Sequence, residues 1–114
     1  MQNDTPPEIS DSLEQLQQAE GIEKIDLLNS LALYYLDKNT KLAIEYSELS
    51  KNLSDELKDD ERLGNSLLLL GRGYFNSNNF LTALQLFANA QAIFEKLQDK
   101  EKESEALMRT GRCQ

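Results

Sequence analysis

An all-α fold of antiparallel helical hairpins is predicted by three features of this sequence. Apolar residues recur at helical spacing, as in Leu67, Leu70, Gly71 and Tyr74, which fall at i, i+3, i+4 and i+7. Short polar runs such as Asn76-Ser77-Asn78-Asn79 separate one stripe from the next, and their side chains bond local backbone in turns and at helix starts. The composition is rich in Leu, Ala, Glu, Lys and Gln and contains no Val or Trp, which leaves little for a β-sheet to be built on.

Taken in order, residues 1–7 read as a disordered arm whose end opens a helix. Thr5 supplies a capping hydroxyl, Pro6 and Pro7 suit a first turn, and Glu8 lies three residues after the cap. The helix over 8–20 presents Ile9, Leu13 and Leu16 on one side and serves as an N-terminal cap, ending near Gly21. A first hairpin over 22–59 follows. Its leading helix turns Leu27, Leu31 and Tyr34 inward, and Asp37-Lys38-Asn39 reverses the chain. Thr40 is placed to cap a second helix carrying Leu42, Ala43, Tyr46, Leu49, Leu53 and Leu57. Asp59, Asp60 and Glu61 open the next helix, where acids complement the dipole; calcium loops space their ligands differently, so no metal site is assigned.

The second hairpin, over 60–98, joins Leu67, Gly71 and Tyr74 to Ala83, Phe87 and Ala90, a stripe that Ile93, Phe94 and Leu97 extend. A glycine within a helix costs about 1 kcal/mol relative to alanine. Its presence on the buried stripe therefore predicts that the partner helix crosses closely at Gly71 and Ala83, with Tyr74 and Phe87 filling the wider space beside the crossing. Residues 99–114 form a third leading helix, with Leu107, Met108 and Gly111 expected to lack cover. That open end predicts a longer protein or a homodimer contact.

Shifting the sequence against itself by forty residues places Leu27 on Leu67 and Leu107, Tyr34 on Tyr74, Ala43 on Ala83, and Gly71 on Gly111. A repeat of this length joins hairpins that cannot bury both faces alone. The pattern resembles the tetratricopeptide repeat family in its forty-residue variant. Leu67, Gly71, Tyr74, Ala83, Phe87 and Ala90 satisfy the family pattern; in the first repeat Leu31 stands for the glycine, and Ser47 and Ser50 for the aromatic and the second alanine. The resemblance implies a right-handed α-α superhelix, a solenoid whose leading helices line a concave groove. Its groove positions would be Leu28, Ala32 and Tyr35, then Leu68, Arg72 and Phe75, then Met108 and Arg112, flanked by Asn65 and Asn76.

Such a groove implies a protein or peptide ligand with apolar anchors and an acidic group. The alternative for Arg72 and Arg112 is pairing with neighbouring acids such as Glu105. Leu28 and Ala32 replace residues that the chaperone-binding members use to clamp a carboxylate. The implied role is a non-catalytic binding module, as in the sensory or regulatory regions of bacterial signalling proteins; a free-standing adaptor or secretion chaperone is the alternative.

Charge and chemistry narrow the classes further. The net charge is −8, with fifteen acids and six bases in residues 1–63 against five and six in 64–114. This field disfavours nucleic acid and anionic lipid and suits solubility or a basic partner. No apolar run approaches the roughly 20 residues that span a bilayer. The N-terminus lacks a signal segment, and the single Cys113 is compatible with a reducing cytoplasm. There is no histidine to act as a general base near neutral pH. Gly71-Arg72-Gly73 follows no strand, and Ser66 and Ser77 have no base beside them, so neither catalytic residues nor a cofactor is assigned.

Overall fold

Six helices make up most of residues 5–114, which the computed structural model describes: α1 (Pro7–Leu16), α2 (Gly21–Tyr35), α3 (Thr40–Glu56), α4 (Asp60–Asn76), α5 (Phe80–Lys96) and α6 (Lys100–Cys113). Each packs against its neighbour in sequence as an adjacent antiparallel pair, and α2 also meets α4. Helix α4 therefore touches α2, α3 and α5.

Helices α3, α4 and α5 end in one way, and the residues there explain why the connections are so short. Lys58, Asn78 and Gln98 adopt left-handed φ values of 57°, 64° and 60°. The next amide then reaches back five residues, from Asp59 to Ser54, Asn79 to Tyr74 and Asp99 to Phe94, each at 2.9 Å. That same residue turns its side chain onto the amide three positions ahead, at Arg62, Thr82 or Lys102, and starts the following helix. One residue thus closes a helix and opens the next. Left-handed backbone costs an L-residue about 1–2 kcal/mol, so Gln98→Gly is expected to raise the urea midpoint by the equivalent of about 1 kcal/mol, after allowance for glycine's extra freedom in the unfolded chain. An unchanged or lower midpoint would count against this account of the turn.

Several boundaries differ from the sequence expectation. Pro6 is the N-cap of α1, its carbonyl accepting from the amides of Ile9 and Ser10, so the helix begins at Pro7 inside the arm expected over 1–7. The rest of that expectation, residues 1–4, lies outside the described residues. Helix α1 stops at Leu16, earlier than expected, and α2 begins where Gly21 takes φ +61°, a reversal that glycine permits without strain. Asn39, not Thr40, caps α3 by accepting from the amide of Leu42; the Thr40 hydroxyl instead donates to the Leu36 carbonyl.

The core holds Leu67, Leu68, Phe87 and Phe94 with three alanines, Ala83, Ala90 and Ala106. Close approach is confined to the glycines of α4. A Cβ at Gly71 would lie 2.6 Å from Cε1 of Phe87, and one at Gly64 would lie 2.6 Å from Cζ of Phe94. Phe87 therefore fills the crossing itself and not the space beside it, a correction to the expected division of roles. Gly73 makes the equivalent approach on the other side, 2.7 Å from Cγ1 of Ile44 in α3. Gly111 matches Gly71 in register, but nothing stands within 4 Å of its would-be Cβ.

The first hairpin reverses these sizes. Leu31 occupies the Gly71 position and Ser47 the Phe87 position, and both are fully buried. Large and small side chains have changed helices, which keeps the volume between them filled. Ser47, Ser50 and Ser54 form the buried face of α3 with Ala43. The bulkier stripe of Leu42, Tyr46, Leu49, Leu53 and Leu57 lies one residue earlier, and of it Leu49 and Leu57 are exposed; Leu97 is exposed as well. Leu27 is half-buried while Leu28 is buried, and in α6 Ala106 reaches the core while Leu107 remains exposed. Tyr34 is half-buried under the ammonium of Lys38, and Tyr74 packs against the core edge.

Candidate functional site

The buried serines explain how α2, α3 and α4 are held together where a groove opens. Oγ of Ser50 donates to Oδ1 of Asn29 at 2.5 Å, while the Ser66 hydroxyl lies 3.2 Å from the same oxygen, 2.9 Å from the Arg62 carbonyl and 2.5 Å from Ser50 Oγ, with one proton to place among them. With its oxygen engaged inward, Asn29 keeps its amide group for the surface. Nearby, the Arg62 fork reaches both carboxylate oxygens of Asp26 in α2, at 2.8 and 3.1 Å, and one oxygen of Asp59 at 3.1 Å. These bonds to the carboxylates hold the Arg62 proton more tightly than usual. Asp59 and Asp60 are thereby accounted for, the first as a cap and partner of Arg62 and the second as a partner of Lys96.

Above this layer a groove of about 390 Å³ runs across three helices. Helix α2 contributes Asp26, Asn29, Ser30 and Leu33; α4 contributes Asn65, Leu68, Leu69 and Arg72; α6 contributes Lys102 and Glu105. Asn65 holds its Oδ1 buried without a hydrogen-bond partner. Beside the groove, sharing Arg72, lies a depression of about 230 Å³ lined by Arg72, Phe75, Asn76, Phe87, Arg109 and Arg112. Burial, then the neighbouring charge of Arg109, lowers the pKa of Arg72, with Glu105 opposing. Glu105 bonds Nε of Arg109 at 3.2 Å and so is not the partner expected for Arg72 or Arg112.

Of the residues singled out from the sequence, Asn65, Leu68 and Arg72 meet in the groove, and Arg72, Phe75, Asn76 and Arg112 meet in the adjoining depression. Leu28 and Ala32 are 1% and 0% exposed and Leu68 only 4%, so they lie beneath the surface and not on it. Tyr35 is turned away, stacked on Tyr46 of α3 with ring centroids 5.9 Å apart. Met108 is exposed but lines neither depression. Asn76 spends one donor on the carbonyl of Leu36, tying the end of α4 to that of α2.

Asn29, Leu33, Leu69 and Arg109 are among the lining residues that the sequence pattern did not mark. The first three sit one residue beyond the expected groove positions, since the helices are turned so that the second leucine of each pair is buried. The Glu105 and Arg109 spacing of i, i+4 was the available sign of the fourth. Gly71-Arg72-Gly73 lies within α4, and the Ser66 hydroxyl is engaged with Ser50, Asn29 and the Arg62 carbonyl. Burial raises the pKa of the Cys113 thiol, which leaves it less thiolate at neutral pH. No described helix is long and apolar enough to cross a membrane. No protein-family model, curated protein or solved structure matches this chain.

Proposed function

We propose that this chain is a peptide-binding module of tetratricopeptide type, a right-handed stack of hairpins whose leading helices α2, α4 and α6 hold an extended or helical segment of another protein. The single observation that carries the reading is the groove of about 390 Å³, whose walls come from all three of those helices together. The forty-residue recurrence of caps supports it: Asn39 with Asn79, and Asp59 with Asp99. So does the lining. Leu33, 53% exposed, and Leu69 offer apolar anchorage, while Asn29 and Asn65 are polar groups suited to a peptide backbone. Regulation within a larger signalling protein fits a module of this kind, with the bound segment as the signal.

Selection of a randomised peptide library on the chain tests the reading. The peptides recovered are expected to lose roughly tenfold or more in affinity on Leu33→Asp or Leu69→Asp, the scale of a hot-spot loss. Leu49→Asp, on the outer face of α3, is the control and should leave binding unchanged. Peptides that respond to Leu49→Asp and ignore the groove variants would refute the site.

A further inference from the structure

The smaller depression carries an excess of positive charge in a chain of net charge −8. Three guanidinium groups line it, and the one ion pair among them joins Arg109 to Glu105. Arg72 and Arg112 make no hydrogen bond or ion pair with any described residue. About two positive charges are therefore left for whatever enters. Phe75 supplies apolar surface at the same place, with the ring of Phe87 buried behind it. At about 230 Å³ the space lies below the ~300 Å³ at which whole-ligand pockets begin, so it suits a group the size of one side chain.

We infer that this depression is a binding site for a phosphomonoester on an aromatic carrier, with the phosphate met by Arg72, Arg109 and Arg112 and the carrier by Phe75. Such a phosphate carries about −1.5 to −2 charges at pH 7, which matches the uncompensated pair, whereas a single carboxylate would leave one charge over. Guanidinium forks also bind phosphate oxygens two at a time. Burial first, and then the charge of Arg109, lower the proton affinity of Arg72, and an anion between the two guanidinium groups would relieve the second of these. The inference deepens the groove reading, since Arg72 belongs to both depressions, and it describes how a bound segment with a phosphorylated aromatic residue would be chosen over its unmodified form.

The test uses the full chain and no peptide. Phenyl phosphate, inorganic phosphate and benzoate are titrated separately while the amide and arginine Nε–H resonances are followed by NMR. Phenyl phosphate is expected to bind roughly tenfold more tightly than either of the others, shifting Arg72, Arg109, Arg112 and Phe75 together. Arg112→Gln, at an exposed position, and Arg72→Gln should each weaken phenyl phosphate by roughly tenfold while helical circular dichroism is retained. Benzoate binding as tightly as phenyl phosphate, shifts scattered over the surface lysines, or affinity unchanged in Arg112→Gln would each overturn the inference. Library peptides that respond to Leu33→Asp would leave the groove reading intact in that event, so the two failures are distinguishable.

Discussion

Replacing Gly71 with leucine is expected to destabilise the chain by more than about 3 kcal/mol, and adding Phe87→Ser is expected to recover most of the loss. A Cβ at position 71 already falls 2.6, 2.8 and 3.1 Å from three atoms of the Phe87 ring. That ring is 1% exposed, so it has nowhere to retreat. Alanine alone would gain about 1 kcal/mol in helix propensity and lose more to overpacking; leucine adds three further carbons to the same gap. Phe87→Ser alone leaves a cavity, at about 3–5 kcal/mol for a change of this kind. The pair together reproduces what the first hairpin contains at the same register, Leu31 and Ser47, both buried, where the serine hydroxyl is satisfied by the Ala43 carbonyl at 2.6 Å. A serine at 87 has the Ala83 carbonyl four residues back for the same bond. Urea unfolding of the two single variants and the double should show the double losing about 5 kcal/mol or more less than the sum of the singles, above the roughly 0.5–3 kcal/mol usual for residues in contact. Strict additivity would mean that the two hairpins do not share a packing rule.

Asn29→Ala is expected to cost about 1–3 kcal/mol, more than the loss of one surface amide would. Its Oδ1 accepts from Ser50 and lies 3.2 Å from the Ser66 hydroxyl, and both hydroxyls are buried. Removing it costs the pair an acceptor and leaves the volume of the amide empty, since Ser66 retains the Arg62 carbonyl at 2.9 Å and Ser50 is left to donate to Ser66. The triple change of Asn29, Ser50 and Ser66 to Leu, Ala and Ala removes every partner at once. It is expected to fall within about 1 kcal/mol of the parent, because replacing all the partners by apolar groups of similar volume is nearly neutral. A triple variant less stable than Asn29→Ala would show that the network adds stability in its own right. Groove binding should nonetheless suffer in both, as the Asn29 amide lies on its wall.

Much of this architecture could be read from residues alone, because its rules are local. The turn residues Asn76 to Asn79 and the acids Asp59 and Asp99 mark helix ends and starts by side-chain chemistry that needs no tertiary contact. Gly71, by its cost within a helix, announced a place where a neighbour comes close, and that neighbour is the ring of Phe87. Which face turns inward was harder to read. Leu27 and Leu28, or Leu42, Tyr46 and Leu49 beside Ala43, Ser47 and Ser50, form neighbouring stripes only 100° apart, and apolarity does not choose between them. Packing chose the smaller residues of α3, since Ser47, Ser50 and Ser54 lie on the face buried against the rest of the fold. The groove moved by one residue in consequence, from Leu28 and Ala32 to Asn29 and Leu33. Arg109 joined Arg72 because α6 brings it there across a distance in sequence that no pattern encodes.

Photo-crosslinking is the most direct measurement of whether α2, α4 and α6 present one surface to a ligand. Benzoylphenylalanine is placed singly at Leu33, Leu69 and Lys102, and, for comparison, at Leu49 and Leu81 on the exposed sides of α3 and α5. A peptide selected on the unmodified chain is expected to crosslink from all three groove positions and from neither outer one. Crosslinks from Leu49 or Leu81 with none from Leu33 and Leu69 would contradict the shared inner surface.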